Sequence, residues 1–419
     1  MSGSSNMKAL VFILSFLCMV SRHSCLEGWY MIKSPLEASI PSVTPTILGA
    51  IDTTYLLCYS IGLYISGVLE DSYSMKLVIS LGMGLASLVY YFLIVSSYFS
   101  FTSVPLMIIC WGFQGLLQST VWPGTVSLIA NWFPKASHGG WMGIWSCNSG
   151  TGNIIGSQIG LIVYKYTESW ELVMFTVSTF MLITAIFTYF CIQDRPSDLN
   201  NVAKVKGSIG FWKAWKLPGV LEYSLAYGCI KLLVYSLMMW LPYYLQNYVK
   251  VSMVQIGMIV TCFEVGGVIG SVCAGYLSDW TKNRDKVVIG MMVFAIPVIF
   301  CFIFGNSESV WAYYVLTPLA GAFTVACANL VTTCVATDLA SFTENQEHTH
   351  AMATVTGIID GTGSLGAACG QILIGILSQY SWDYVFLFMI SIGVLSIFIM
   401  SIARIECSPK SDLEKKLIN

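Results

Sequence analysis

Residues 192 to 216 read IQDRPSDLNNVAKVKGSIGFWKAWK, the longest polar run in a chain of 419 residues, and they fall close to its middle. The run carries Arg195, Lys204, Lys206, Lys213 and Lys216, while the arms on either side are mostly apolar. Hydrophobic residues make up 56% of the chain and charged residues 10%, against roughly 25% charged in a soluble domain. Such a chain is built for lipid, and the central run reads as a basic loop joining two membrane bundles. The net charge of −2 says little about partners, because the few charges are sorted by position, and nothing points to nucleic acid. Fourteen cysteines are scattered without a CxxC pair or the spacing that zinc requires. They read as apolar filler, and neither a metal nor a cofactor is expected.

A transmembrane helix needs about 20 mostly apolar residues. Twelve such segments can be drawn, at about 8–33, 46–69, 76–98, 103–131, 139–164, 170–192, 217–246, 253–278, 286–305, 309–337, 350–378 and 381–404. The first begins like a secretory signal, with Lys8 ahead of LVFILSFLCMV, but Ser21, Arg22 and His23 follow where a small-x-small cleavage site would stand. It is therefore read as a retained span. Placing both termini and the central loop on one side of the membrane puts fifteen Lys and Arg there and three, Lys33, Lys165 and Lys250, opposite. The positive-inside rule then makes the termini and the loop cytoplasmic. The expected fold is all-α, with a six-helix bundle over 1–192, a basic linker over 193–216, a second six-helix bundle over 217–405 and a tail over 406–419.

The arms repeat each other. Gly67-Val-Leu-Glu-Asp71-Ser-Tyr-Ser-Met-Lys76 returns 208 residues on as Gly275-Tyr-Leu-Ser-Asp279-Trp-Thr-Lys-Asn-Arg284. Gly143, Gly152 and Gly156 return 214 residues on as Gly357, Gly366 and Gly370. Parallel repeats about an axis along the membrane normal are the plan of one large transporter class. In the first motif glycine permits a tight turn between helices, and the aspartate accepts from helix N-terminal amides or from the basic residue. Gly67, Asp71 and Lys76, with Gly275, Asp279 and Arg284, are thus the expected conformational latches. The glycines of GTGNIIG and GTGSLG match phosphate-loop patterns weakly, but no strand precedes them. At spacing four in an apolar helix they serve close helix packing.

Ionisable residues inside membrane spans are costly and are functional candidates by default. Here they are Arg22, His23, Glu27, Asp52, Glu222, Lys231, Glu264 and Asp360. Arg22 lies ~21 Å along a helix starting at Lys8, and Lys231 ~21 Å beyond Leu217, at 1.5 Å per residue. They stand 209 residues apart, so the two cations occupy nearly equivalent places on helices one and seven. Two such cations suit a doubly charged phosphate through charge-assisted hydrogen bonds; the alternative is neutralisation by Glu222, Glu27 or Asp52. Glu264 and Asp360, beside glycines, either bridge helices or touch substrate. His23 is a ligand, a proton carrier or a packed, hydrogen-bonded side chain.

With these residues in hand, the chain resembles the eukaryotic sugar-phosphate/phosphate exchangers, in the organophosphate:phosphate antiporter branch of the major facilitator superfamily. LGAIDTTYLLCYSIGLYISG (48–67), WGFQGLLQSTVWPGTVSLIANWF (111–133), FEVGGVIGSVCAGYLSD (263–279) and TVTGIIDGTGSLGAACG (354–370) carry the resemblance across both halves. It implies twelve helices, rocker-switch alternating access, exchange of a sugar phosphate for inorganic phosphate, and residence in the endoplasmic reticulum membrane. Asp52, Glu222, Lys231 and Asp360 resemble charged positions of the family pattern, and Glu264 stands where relatives carry aspartate. The family shows Ser-Arg-Lys in helix one, and this chain shows Ser21-Arg22-His23. A gapless match through MIKSPL instead puts Leu26 and Glu27 at the Arg-Lys positions.

The expectation is an antiporter for a sugar phosphate of the glucose 6-phosphate or glycerol 3-phosphate type. Arg22 and Lys231 would bind the phosphoryl group in a cavity between the bundles. A proton-coupled organic-anion symporter using Glu222, Asp52 or His23, and a non-transporting membrane sensor or partner protein, are the alternatives. No catalytic constellation points to an enzyme.

Overall fold

The computed structural model describes residues 2–133, 145, 147–194, 211–281, 283–305, 310–332 and 352–406. Arg195, Lys204 and Lys206 of the central run lie outside them, as do Lys135, His138, Gly143, Lys282, His348, His350 and the C-terminal lysines. The described residues are helical: α1 (Ser2–Ser39), α2 (Pro45–Ser72), α3 (Met75–Tyr98), α4 (Val104–Gln118), α5 (Val121–Trp132), α6 (Asn148–Thr167) and α7 (Trp170–Cys191) precede the central run. After it come α8 (Val220–Tyr244), α9 (Met253–Thr281), α10 (Arg284–Cys301), α11 (Val310–Leu330), α12 (Met352–Tyr380) and α13 (Trp382–Glu406). Among the described residues ten segments are long and apolar enough to cross a membrane, α4 and the start of α5 counting as one. The glycine-rich α6 and α12 add 20 and 29 helical residues at the remaining two expected positions.

The chain divides into two compact units, one of residues 1–204 with 239–261 and one of 205–238 with 262–419. Inside each, the helices pair by the same rule. In the first unit α1 packs on α6, α2 on α4, and α3 on α7. In the second α8 meets α12 where Gly366 faces Gly228, α9 meets α11 where Gly270 faces Ala322, and α10 packs on α13. The glycines set the closeness. A Cβ at Gly156 would fall 2.6 Å from the Ser24 carbonyl oxygen, and one at Gly366 would fall 2.7 Å from the Gly228 Cα. Only hydrogen fits there, so the glycine runs of α6 and α12 are packing surfaces for α1 and α8.

The central run is less loop-like at its start than its polarity suggests. The Trp132 indole donates to the Gln193 carbonyl at 2.8 Å. The Asp194 carboxylate accepts from the backbone N–H groups of Met75 and Lys76 at 3.1 and 2.9 Å. An anion at the first turn of α3 satisfies orphan amides and complements the helix dipole. Asp194→Ala is expected to cost about 1 kcal/mol, the usual worth of an N-terminal cap, read as a lowered unfolding temperature in detergent.

Candidate functional site

Three buried clusters hold the intramembrane charges. The first is on α1. Arg22 is 3% exposed, with its guanidinium carbon 4.8 Å from the centre of the Tyr59 ring on α2. Its Nη1 lies 3.3 Å from Nε2 of His23. A guanidinium nitrogen can only donate, so the imidazole accepts and carries its proton elsewhere. The helix is pressed against α6 here: a Cβ at Gly152 would lie 2.6 Å from the Cβ of His23. Leu26 is buried four residues further on the same helix. Glu27, also expected among the buried charges, is 1% exposed.

The second cluster is on α8 and α12. The ammonium of Lys231 donates to Asp360 Oδ1 at 2.8 Å and to Ser364 Oγ at 2.8 Å. The rings of Tyr227 and Tyr235 flank it at 5.6 and 5.3 Å. Lysine presents three donors, and two are met by α12. Asp360 therefore bridges helices, one of the two roles its glycine surroundings left open. Glu222, one of the carboxylates expected as a neutraliser, is half-buried in the first turn of α8, where it complements the helix dipole. Glu264, 5% exposed, lies on α9.

The third cluster corrects an assignment made from sequence. Charge sorting counts Lys33 as lying outside the membrane, beyond a first helix ending near it. The helix instead continues through Pro35 to Ser39, and Lys33 is fully buried. It forms an ion pair with Asp52 of α2 and donates to the Met239 carbonyl at 2.9 Å. The Trp29 indole donates to the other Asp52 oxygen at 2.8 Å, and the Trp240 ring lies 4.4 Å from the ammonium. Asp52 is thus the counter-ion of Lys33. A buried aspartate on an otherwise apolar helix demands a cation, and that is the sequence signal for Lys33.

The expected latch residues divide. Gly67 and Asp71 fall in the last turns of α2, where the structure describes the helix but not the Asp71 side chain, and the amides that open α3 bond to Asp194. Lys76 reaches the Tyr189 ring at 5.9 Å. A Cβ at Gly275 would meet open space; Asp279 is exposed, and Arg284 is the first residue of α10. Among the described residues no cluster of metal-ligating side chains occurs.

Comparison with known proteins agrees with this organisation. The family model described as Major Facilitator Superfamily matches residues 11–358. The glucose-6-phosphate exchanger SLC37A2 of Homo sapiens is 31% identical over 94% of this chain and 91% of its own length. The putative glycerol-3-phosphate transporter 5 of Arabidopsis thaliana is 31% identical over 95% of this chain and 91% of its own. Among solved structures, a bacterial homolog of the human lysosomal transporter Spinster, inward-facing and occupied, superposes with a TM-score of 0.73. It covers 97% of this chain and 98% of that one at 12% identity, a likeness of fold alone.

Proposed function

The chain belongs to the major facilitator superfamily and, within it, to the family of sugar-phosphate exchangers and glycerol-3-phosphate transporters; from that premise we propose that it exchanges a phosphorylated sugar or glycerol 3-phosphate for inorganic phosphate by alternating access. It is a multi-pass membrane transporter and not an enzyme. The observation that carries the proposal is the pair of buried cations at repeat-equivalent positions, Arg22 and Lys231, 3% and 4% exposed. Each brings a charged donor into the apolar part of its bundle, and phosphoryl oxygens are the acceptors that suit them. His23, placed as an acceptor to Arg22, orients the guanidinium. The pairing of Lys231 with Asp360 and Ser364 supports exchange: the substrate anion must take the ammonium from a carboxylate, and an emptied site closes on its own counter-ion. In this reading the two six-helix bundles, joined by residues 193–216, alternate in the endoplasmic reticulum membrane with both termini cytoplasmic.

The test uses purified protein in liposomes loaded with unlabelled phosphate, following uptake of labelled phosphate and competing with glucose 6-phosphate and glycerol 3-phosphate. Uptake that needs internal phosphate, is inhibited by one of the two esters and falls in Arg22→Leu is the expected result. Uptake that follows a pH gradient and ignores internal phosphate would select proton-coupled symport, and no phosphate counterflow at all would reject the exchanger.

A further inference from the structure

The buried charges of the first compact unit balance, and that balance bears on what the carrier takes. Among the described residues they are Arg22, Glu27, Lys33 and Asp52, two cations and two carboxylates, each no more than 3% exposed. The second unit is no richer in positive charge: Lys231 and Glu264 are buried, and Asp360 takes the Lys231 ammonium. A fully ionised phosphate ester adds close to two negative charges. In an apolar surrounding such an anion needs cations in surplus, or one of its own.

Glu27 is the carboxylate to which the proposed exchange gives no task. It lies on α1 between the two cations, five residues beyond Arg22 and six before Lys33, and it acts electrostatically on Lys33. Lys33 itself is held by Asp52. His23 and Glu27 are four residues apart and so share a face of the helix. The facing helix α6 gives both of them room by carrying glycine. A Cβ at Gly152 would lie 2.6 Å from the His23 Cβ, and one at Gly156 2.9 Å from the Glu27 Cβ. Nη1 of Arg22 lies 3.3 Å from Nε2 of His23, so the guanidinium leans round the helix toward the face of Glu27. Five residues span ~7.5 Å along the axis, which sets a cationic and an anionic group roughly one hexose ring apart.

We propose that the transported ester carries an ammonium group as well as a phosphate, as an aminohexose phosphate does, with Arg22 on the phosphoryl oxygens and Glu27 on the ammonium. The inference rests on the exchanger reading and names its substrate class. In a hexose 6-phosphate with an amino group on its second carbon, the two charges stand across the ring from each other, as the guanidinium and the carboxylate do along α1. The ammonium cancels one phosphate charge, so the ester carries a net charge of about −1, that of the phosphate monoanion for which it is exchanged. Each half of the cycle then moves the same charge through the apolar core. The carboxylate also discriminates. An ester with a hydroxyl in place of the ammonium offers Glu27 a neutral group and forfeits a charge-assisted hydrogen bond.

The test compares glucosamine 6-phosphate with glucose 6-phosphate, which differ only in that group. Both compete with labelled phosphate counterflow in proteoliposomes, at a pH below the pKa of the amine. Half-inhibition by the amino ester is expected at about a tenfold lower concentration, the worth of one charge-assisted hydrogen bond. In Glu27→Gln the preference is expected to vanish, whatever the absolute rate, and in Glu27→Asp to survive in part. Equal potency in the wild type, or a preference that persists in Glu27→Gln, would overturn the assignment and leave the exchanger standing. Binding is read separately on the detergent-solubilised wild type. There the amino ester is expected to raise the unfolding temperature more than glucose 6-phosphate at equal concentration, and equal or absent shifts overturn the assignment. An amine-selective shift without any phosphate counterflow would instead reject the exchanger and keep the ligand class.

Discussion

Lys231→Met is expected to reduce phosphate counterflow in proteoliposomes by at least thirtyfold while leaving the protein folded. The ammonium is the charged donor of the second cluster, and its bonds to Asp360 and Ser364 show that an acceptor can reach it at 2.8 Å. Truncating one partner of a buried, hydrogen-bonded charge pair costs about 2–5 kcal/mol, or roughly thirtyfold upward at 1.4 kcal/mol per decade. Part of that loss falls on Asp360, which is 17% exposed by its side chain and can recover some hydration. Asp360→Asn separates the roles. With the competing carboxylate gone, substrate no longer has to displace it, so the half-saturating phosphate concentration is expected to fall severalfold. The variant also lacks the counter-ion on which an emptied wild-type site closes. Exchange should therefore become stricter, with less uptake into phosphate-free liposomes. If Lys231→Met exchanges at the wild-type rate, Lys231 is a helix-bridging residue and its bond to Asp360 is structural.

How far the sequence reaches depends on which force decides each feature. The spans are legible because hydropathy decides them: every segment drawn from apolar run length coincides with helix among the described residues. The repeat is legible because glycine spacing is a packing requirement, and close approaches occur in both units at the repeat-equivalent Gly152 and Gly366. Charge partners are not legible. Arg22, Glu27, Asp52 and Lys231 are recognisable as buried charges, but pairing is set by helix rotation, which a one-dimensional pattern leaves open. Lys33 escapes for a further reason. MIKSPLEAS, with a lysine, a proline and a glutamate in close succession, reads as a helix end, yet α1 continues through it. Proline is tolerated inside a membrane helix, and the polar side chains on either side of it bond Tyr243 and Asn247. Asp194 reads as the start of a loop because a carboxylate in a polar run looks solvated. Only the position of the α3 amides shows it to be a cap.

Asp52→Leu is expected to be the most destabilising single change in the chain, by about 3–5 kcal/mol, the cost of leaving one member of a buried ion pair without its partner. Lys33 is fully buried and Asp52 1% exposed, so water cannot take the place of the lost carboxylate, and the Trp29 indole loses its acceptor as well. Lys33→Met strands the opposite charge and should be destabilising in the same range. The double variant is the informative one. Replacing a buried pair by apolar side chains of similar volume is often neutral or stabilising. Lys33→Met with Asp52→Leu should therefore regain most of what either single change loses, a coupling visible in urea or thermal unfolding of the detergent-solubilised protein. Full additivity would mean that the two side chains do not share an interaction. The recovered stability would not restore the bond to the Met239 carbonyl, because methionine has no donor.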